Sequence, residues 1–257
     1  MEYYENLLGG SLQAPYARLG GKSRLKKIVL GHFPKDYEKM TYVEPFFGGG
    51  SVFYYKEPSV KEVINDLDKN MFTLMKGFKK YDGDQISKDI NGNHSRAFFI
   101  KLRDFVPKND YAKFIRVLLL TRLSFFGKMT SYSYLHDGNI SSNFGDKFTT
   151  RLKDTIILNK DYKDVIKKYD SVNTFFYLDP PYSMSEDAKY YDGQSIKITE
   201  LYDIVKNIKG KFLISYDDDK ATKELFKDFK IMRVKTSYTQ TQHVDRRDVY
   251  EILISNY

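Results

Sequence analysis

Asp179-Pro180-Pro181-Tyr182 is the segment of this 257-residue chain with the most specific chemistry. It follows an apolar run, Phe175-Phe176-Tyr177-Leu178, which predicts a buried strand with the tetrapeptide at its C-terminal end. An aromatic amino nitrogen is a poor nucleophile, because its lone pair is delocalised into the ring. Acceptors aimed at its two N–H bonds favour a pyramidal nitrogen with the lone pair turned toward an electrophile. Asp179 offers a carboxylate as one acceptor, and the carbonyl of Pro180 offers the other. Proline lacks an N–H and has a fixed φ, so Pro180-Pro181 makes a rigid frame. Tyr182 presents a ring face on which an extruded planar base can stack. Asp179 in this reading orients and accepts hydrogen bonds; the product ammonium is acidic and loses its proton late. The bland alternative is a strand ending at a Pro-Pro turn, with a capping Asp and a buried Tyr.

A second constellation lies earlier. Glu44-Pro45-Phe46-Phe47-Gly48-Gly49-Gly50-Ser51 follows the apolar run Met40–Phe46 and is expected to open a helix. Glycines permit a sharp turn and close approach of a ligand to the backbone. In α/β sheets nucleotides bind at this end of the strands. The next predicted strand, Val60–Leu67, contains Asp66, 16 residues past Gly50. A carboxylate there can accept hydrogen bonds from both ribose hydroxyls; otherwise it is a helix N-cap, which Asp also favours. Neither a dinucleotide fingerprint nor a Gly-Lys-Ser/Thr phosphate loop is present. The implied ligand is a nucleoside without a phosphate clamp, a description S-adenosylmethionine fits.

These segments need elements to hold them. Thr155–Asn159, Thr174–Leu178 and Lys211–Ser215 are further strand candidates, and Lys230–Lys235 with Val249–Tyr257 suggests a final strand pair around a polar loop, 236–248. Helical patterns at Asn70–Lys80, Thr199–Ile208 and Lys220–Phe229 alternate with them. The pattern predicts an α/β fold with a mainly parallel sheet covered on both faces. The middle reads differently. Ser95–Arg103 and Tyr111–Arg122 are predicted helices, and 124–148 is rich in Gly, Ser, Asn, Tyr and Phe with little periodicity. A stretch this long inside a compact domain is usually functional or disordered. Residues 80–150 are therefore expected to form an inserted, mostly helical recognition region, with 1–79 and 151–257 forming the catalytic domain.

The charge is distributed to match. Between Lys76 and Asp170 there are 19 Lys/Arg, 11 Asp and no Glu, so this window holds the whole of the +8 net charge. A localised basic surface suits a polyanion partner, although a solvated lysine-rich face gives the same count. The chain has no cysteine, which excludes disulfides and thiolate chemistry and makes an intracellular, soluble setting the expectation. His32, His94, His136 and His243 are scattered, so no metal site is expected. Arg122 could reach a guanine edge or a phosphate, Tyr132 and Tyr134 could stack on bases, and Arg246-Arg247 could meet backbone phosphates. Each of these also reads as ordinary surface or packing.

Taken together, the segments resemble the Dam-like family of DNA adenine-N6 methyltransferases, in the family's order and over most of the chain. Gly20-Gly21-Lys22 resembles the N-terminal cofactor motif, and Glu44–Ser51 the glycine-rich one. Asn65-Asp66 is similar to the ribose-binding motif, and Asp161-Tyr162 to the pair flanking the cofactor adenine. Asp179–Tyr182 matches the catalytic motif, and Arg247–Tyr257 resembles the C-terminal strand. The resemblance implies S-adenosylmethionine as cofactor, with Lys22, Glu44, Pro45, Phe46, Gly48, Gly50, Ser51, Asp66, Asp161, Tyr162 and Asp179 around it. It implies double-stranded DNA as partner, for which Arg122, Lys128, Tyr132, Tyr134, Asn139, Arg246 and Arg247 are the candidate contacts. The fold it implies is Rossmann-like, a seven-stranded, mostly parallel sheet with one antiparallel strand. Arg18 stands where relatives often carry an aromatic residue, Phe126 where they usually have Asn, and Lys128–Asp137 is longer than usual. The tetrapeptide alone leaves open cytosine N4 or an RNA amino group as substrate, and a catalytically silent nucleic-acid-binding relative as a third reading.

Overall fold

A computed structural model of the chain describes residues 12–18, 20–133, 138–181, 196–236 and 249–257. In chain order the helices are α1 (Lys26–Gly31), α2 (Lys69–Lys80), α3 (Gly83–Ile90), α4 (Arg96–Asp104), α5 (Asp110–Arg122), α6 (Lys147–Leu152), α7 (Tyr162–Tyr169), α8 (Ile198–Val205) and α9 (Lys220–Leu225). The strands are β1 (Thr41–Glu44), β2 (Lys61–Asn65), β3 (Gly92–Asn93), β4 (Asn139–Ile140), β5 (Ile156–Leu158), β6 (Thr174–Leu178), β7 (Lys211–Asp217), β8 (Lys230–Thr236) and β9 (Val249–Ser255).

Seven of the strands form one sheet in the order β5-β2-β1-β6-β7-β9-β8. β1 pairs parallel with β2 and β6, and β6 parallel with β7. β9 runs antiparallel to both its neighbours, which is the one reversed strand expected. β6 is apolar after Thr174 because a central parallel strand is covered on both faces, and every one of its residues is buried. The predicted Thr174–Leu178 strand falls on its observed bounds. Elsewhere the ends move by up to four residues, most at the predicted Lys220–Phe229 helix, which ends at Leu225.

The chain divides into two compact units. One comprises Met1–Gly21, Gly48–Tyr55 and Asp66–Asn159, the other Lys22–Phe47, Lys56–Asn65 and Lys160–Tyr257. In the second unit an aromatic cluster supports β1 and β6. Phe33 meets Phe175 at 4.6 Å, Tyr177 at 5.8 Å and Tyr42 at 6.0 Å between ring centroids. Such pairs add about 0.5–1.5 kcal/mol each beyond their burial.

The first unit is mainly helical in its described residues. α2, α3, α4 and α5 each begin at an Asp, Ser or Asn whose side chain accepts a backbone N–H, at Asp68, Asp82, Ser95 and Asn109. That arrangement satisfies donors a helix start leaves unpaired. α2 packs on α5 through Phe78 and Phe114, 5.2 Å apart and edge-on. Gly77 on α2 leaves room for the Phe114 ring, since a Cβ there would lie 2.0 Å from it. The aperiodic stretch 124–148 holds a single 3-10 turn at Phe125–Gly127, the strand β4 paired with β3, and the start of α6. Phe126 and Met129 have positive φ without being glycine, a strained turn closed by the Ser124–Tyr132 bridge. α3 and α6 are helices that the periodicity does not predict. Conversely, the helix expected after the glycine turn is replaced over 51–55 by successive turns, in which Tyr54 N–H bonds Gly50 O at 2.9 Å.

Candidate active site

In the second unit, strand register assembles a polar cluster at the C-terminal ends of β6 and β7. Leu178 pairs with Ile214, so Asp179 comes level with Ser215, one step on. Asp217 pairs with Glu251 across the antiparallel β7–β9 ladder. Alternation puts Tyr177 and Asp179 on one face, and Ser215 and Asp217 beside them. Lys22 reaches this cluster: its Nζ lies 2.7 Å from Asp179 Oδ1 and 3.7 Å from Glu251 Oε2. The side chain of Lys22 is only 5% exposed and that of Asp179 17%. Ser215 Oγ donates to Asp179 Oδ1 at 2.8 Å.

The electrostatics follow from this crowding. Burial pushes the Asp179 carboxyl above its ordinary range, against the pull of Lys22 and the Ser215 hydrogen bond. Asp217 is pushed up to about 6, first by burial and then by the charge of Glu251. Among the described residues the Lys22 ammonium thus faces three carboxylates, those of Asp179, Glu251 and Asp217. Burial and like charge both disfavour ionisation, which is why Asp217 is raised. Pro180 is buried and Pro181 half-buried. Tyr182 lies outside the described residues.

The same unit holds the turn after β1. The Asn65 amide donates to Pro45 O at 2.9 Å and Lys160 O at 3.0 Å, and its carbonyl oxygen accepts the Lys160 N–H at 2.9 Å. One buried side chain therefore ties the residue after β1 to the residue before Asp161. Asp161 caps α7 by accepting the Lys163 N–H at 2.8 Å. Next to it, the Tyr162 ring stands 5.1 Å from that of Phe46. Among the described residues the buried Tyr162 hydroxyl has no hydrogen-bond partner, so it retains capacity to bond a polar group of a ligand. Glu44 is buried and accepts from the Tyr42 hydroxyl at 2.7 Å.

In the first unit the glycine turn closes on Asp66. Gly48 and Gly50 both take positive φ, which explains glycine at these two positions. Gly48 N–H donates to Asp66 Oδ2 at 2.7 Å, and Asp68 N–H to Oδ1 at 2.9 Å. An ionised carboxylate has about four acceptor sites, so each oxygen retains capacity for a further donor. Burial lifts the Asp66 carboxyl to about 6, while Arg18 and the two N–H bonds pull it down. The helix cap is Asp68, not Asp66, and Asp68 also pairs with Arg18 at 2.8 Å. Tyr16 donates to Gly48 O at 3.3 Å. Ser51 is half-buried at the start of the turns.

The described candidates for nucleic acid sit elsewhere in the first unit. Arg122 donates to Pro15 O at 2.7 Å, which commits part of its guanidinium to the N-terminal segment. Tyr132 donates to His94 O at 2.6 Å and packs on Phe99 at 5.8 Å. Lys128 is half-buried, and Asn139 is exposed on β4. Tyr134, Arg246 and Arg247 lie outside the described residues. Among the described residues no group of three or more His, Cys, Asp or Glu side chains is arranged to hold a metal ion. No helix among them is long and apolar enough to cross a membrane.

The sequence reading missed Asn65 as a tie, Asp68 and Arg18 beside Asp66, and Ser215, Asp217 and Glu251 around Asp179. The signal for Ser215 and Asp217 was present, as polar residues alternating at the end of the apolar run Phe212-Leu213-Ile214.

The model of the D12 class N6 adenine-specific DNA methyltransferases matches residues 19–240. The type II methyltransferase M.MjaIII of Methanocaldococcus jannaschii is 26% identical over 286 residues, covering 93% of this chain and 96% of that protein. The DNA adenine methylase of Haemophilus influenzae is 26% identical over 266 residues, covering 92% and 90%. Among solved structures, precorrin 8w decarboxylase of Methanobacterium thermoautotrophicum aligns with a TM-score of 0.41 at 9% identity, over 91% of this chain and 89% of that one.

Proposed function

Since the chain belongs to the D12 class N6 adenine-specific DNA methyltransferases, we propose that Asp179 directs methyl transfer from S-adenosylmethionine to an adenine amino group flipped out of double-stranded DNA. The observation that carries this reading is the Asp179 carboxylate, pinned through one oxygen by Lys22 and Ser215, with no hydrogen bond to the other from the described residues.

The cofactor supplies a methyl group activated on a sulfonium sulfur. The residues suit such a ligand. Asp66 keeps acceptor capacity for a ribose; among the described residues the Tyr162 hydroxyl has no partner, and nothing lies within 4 Å of where a Gly48 side chain would stand. In our reading Asp66 takes the ribose hydroxyls, and Phe46, Asp161 and Tyr162 border the cofactor adenine. Lys22, Glu44, Pro45, Gly48, Gly50 and Ser51 complete the set.

Asp179 Oδ2 and the Pro180 carbonyl accept the two N–H bonds of the target amine. That directs the nitrogen lone pair at the methyl carbon. Held there, S-adenosylmethionine would supply its methyl group to that nitrogen and leave as the neutral thioether, and the amine would carry the positive charge. The amine then releases one N–H proton to Asp179, and from there to solvent. Tyr182 would stack on the flipped base. Residues 80–150, with Arg122, Lys128, Tyr132, Tyr134 and Asn139, are proposed to read the DNA, and Arg246 and Arg247 to meet its phosphates.

Incubation with labelled S-adenosylmethionine and either DNA or RNA, followed by mass spectrometry of the nucleosides, tests the assignment. The expected product is N6-methyladenosine of the deoxy series. Label on cytosine N4, or on RNA alone, would overturn it.

A further inference from the structure

Ser215 is wholly buried at the end of β7, level with Asp179, and its hydrogen-bond direction is fixed by counting protons. A serine hydroxyl has one hydrogen to give. Ser215 gives it to Asp179 Oδ1 at 2.8 Å. The Tyr177 hydroxyl, 3.2 Å from Ser215 Oγ, must then be the donor of that pair. A one-way chain results, from Tyr177 to Ser215 to Asp179. Lys22 Nζ meets the same Asp179 oxygen at 2.7 Å. Oδ1 therefore takes two donors, whereas Oδ2 takes none from the described residues.

We propose that Ser215 is a positioning residue for methyl transfer: together with Lys22 it holds Asp179 Oδ1, so that the carboxylate cannot rotate and Oδ2 alone faces the amino group. Tyr177 fixes the rotor of Ser215 in turn. The inference rests on the reading of Asp179 as the acceptor for that amino group.

Two consequences separate this role from simple packing. First, a carboxylate freed to rotate loses reactivity, not cofactor affinity, because Ser215 acts through Asp179. Second, among the described residues the groups facing Asp179 are Lys22, Glu251 on β9, Ser215 and Asp217 on β7, and Tyr177 on β6. Of these, Lys22 and Ser215 favour its ionised form. Loss of the Ser215 donor weakens that support, so the acid limb of the rate profile moves to higher pH.

The test is single-turnover methyl transfer to an adenine-containing duplex, from about pH 5 to pH 9, using the full chain. Ser215→Ala, Tyr177→Phe and Asp179→Ala are compared with the wild type, with cofactor affinity measured by calorimetry. Ser215→Ala is expected to slow transfer roughly 10–100-fold, the worth of a hydrogen bond to a charged group. Its acid limb should shift upward while cofactor affinity stays within about twofold. Tyr177→Phe should move both readouts the same way by less, and the double variant should cost less than the product of the two. A folded Ser215→Ala with wild-type rate and acid limb overturns the proposal, as does a loss of rate and affinity together with an unmoved limb. If Ser215→Ala does not fold, Tyr177→Phe decides, and an unchanged rate and limb in that variant overturn it. Normal turnover by Asp179→Ala would instead bring down the underlying reading of Asp179. An inert Asp179→Ala beside a normal Ser215→Ala removes the Ser215 inference alone.

Discussion

The ammonium of Lys22 lies 2.7 Å from one carboxylate oxygen of Asp179, and both side chains are largely withdrawn from water. A buried pair of this kind is costly to break from one side, because the remaining charge is stranded. Among the described residues the nearby Glu251 and Asp217 make the balance asymmetric, with more negative groups than positive ones. That arrangement bears on stability as well as on chemistry.

Asp217 is pushed up to about 6, mainly by burial. A carboxyl whose folded pKa is raised supports the fold below its unfolded value, near 3.9. The support is lost as pH rises through about 6. Asp217→Asn is accordingly expected to raise the thermal midpoint of the free protein at pH 7.5 and to leave it nearly unchanged at pH 4. A lower midpoint at pH 7.5 would contradict the account.

Asp66 obeys the same sign, with its carboxyl also lifted to about 6. Ribose recognition needs the ionised form, so cofactor affinity should fall as pH drops below about 6, while the fold itself gains from protonation. Asp66→Ala should weaken S-adenosylhomocysteine binding roughly 10–100-fold at neutral pH, the range for hydrogen bonds to a charged group. Calorimetric titration at several pH values reads both effects.

Arg122 gives a different prediction from the one its position in sequence suggests. Its bond to Pro15 O anchors the segment that carries Tyr16 and Arg18. Arg122→Ala is expected to destabilise the free protein by about 1–3 kcal/mol through the carbonyl left unpaired. Thermal unfolding without DNA measures this. An unshifted midpoint with weakened DNA binding would restore the direct-contact reading.

The basic window between Lys76 and Asp170 should make DNA affinity steeply salt-dependent. Fluorescence anisotropy between about 50 and 200 mM salt should show a loss of roughly tenfold or more. A flat response would argue against phosphate tracking by this region.

The sheet was legible in sequence because buried parallel strands are continuous apolar runs, as in Thr174–Leu178, whose ends punctuation residues mark. The helix expected after Gly50 failed because glycine-rich turns and helix starts share the same residues, and tertiary contacts choose between them. Asp66 and Asp179 were readable as carboxylates at strand ends, and Ser215 and Asp217 as polar residues alternating after Phe212-Leu213-Ile214. Their placement beside one another and beside Glu251 was not, because it comes from pairing β7 with β6 and β9, and register across strands distant in sequence leaves no local pattern. The tie from Asn65 to Lys160 spans 95 residues for the same reason.

The most direct measurement is methyl transfer by Asp179→Ala on duplex DNA, with cofactor binding followed in parallel. The account predicts a loss of at least about 10²-fold in transfer, with S-adenosylmethionine binding largely retained. Turnover at the wild-type rate would contradict it.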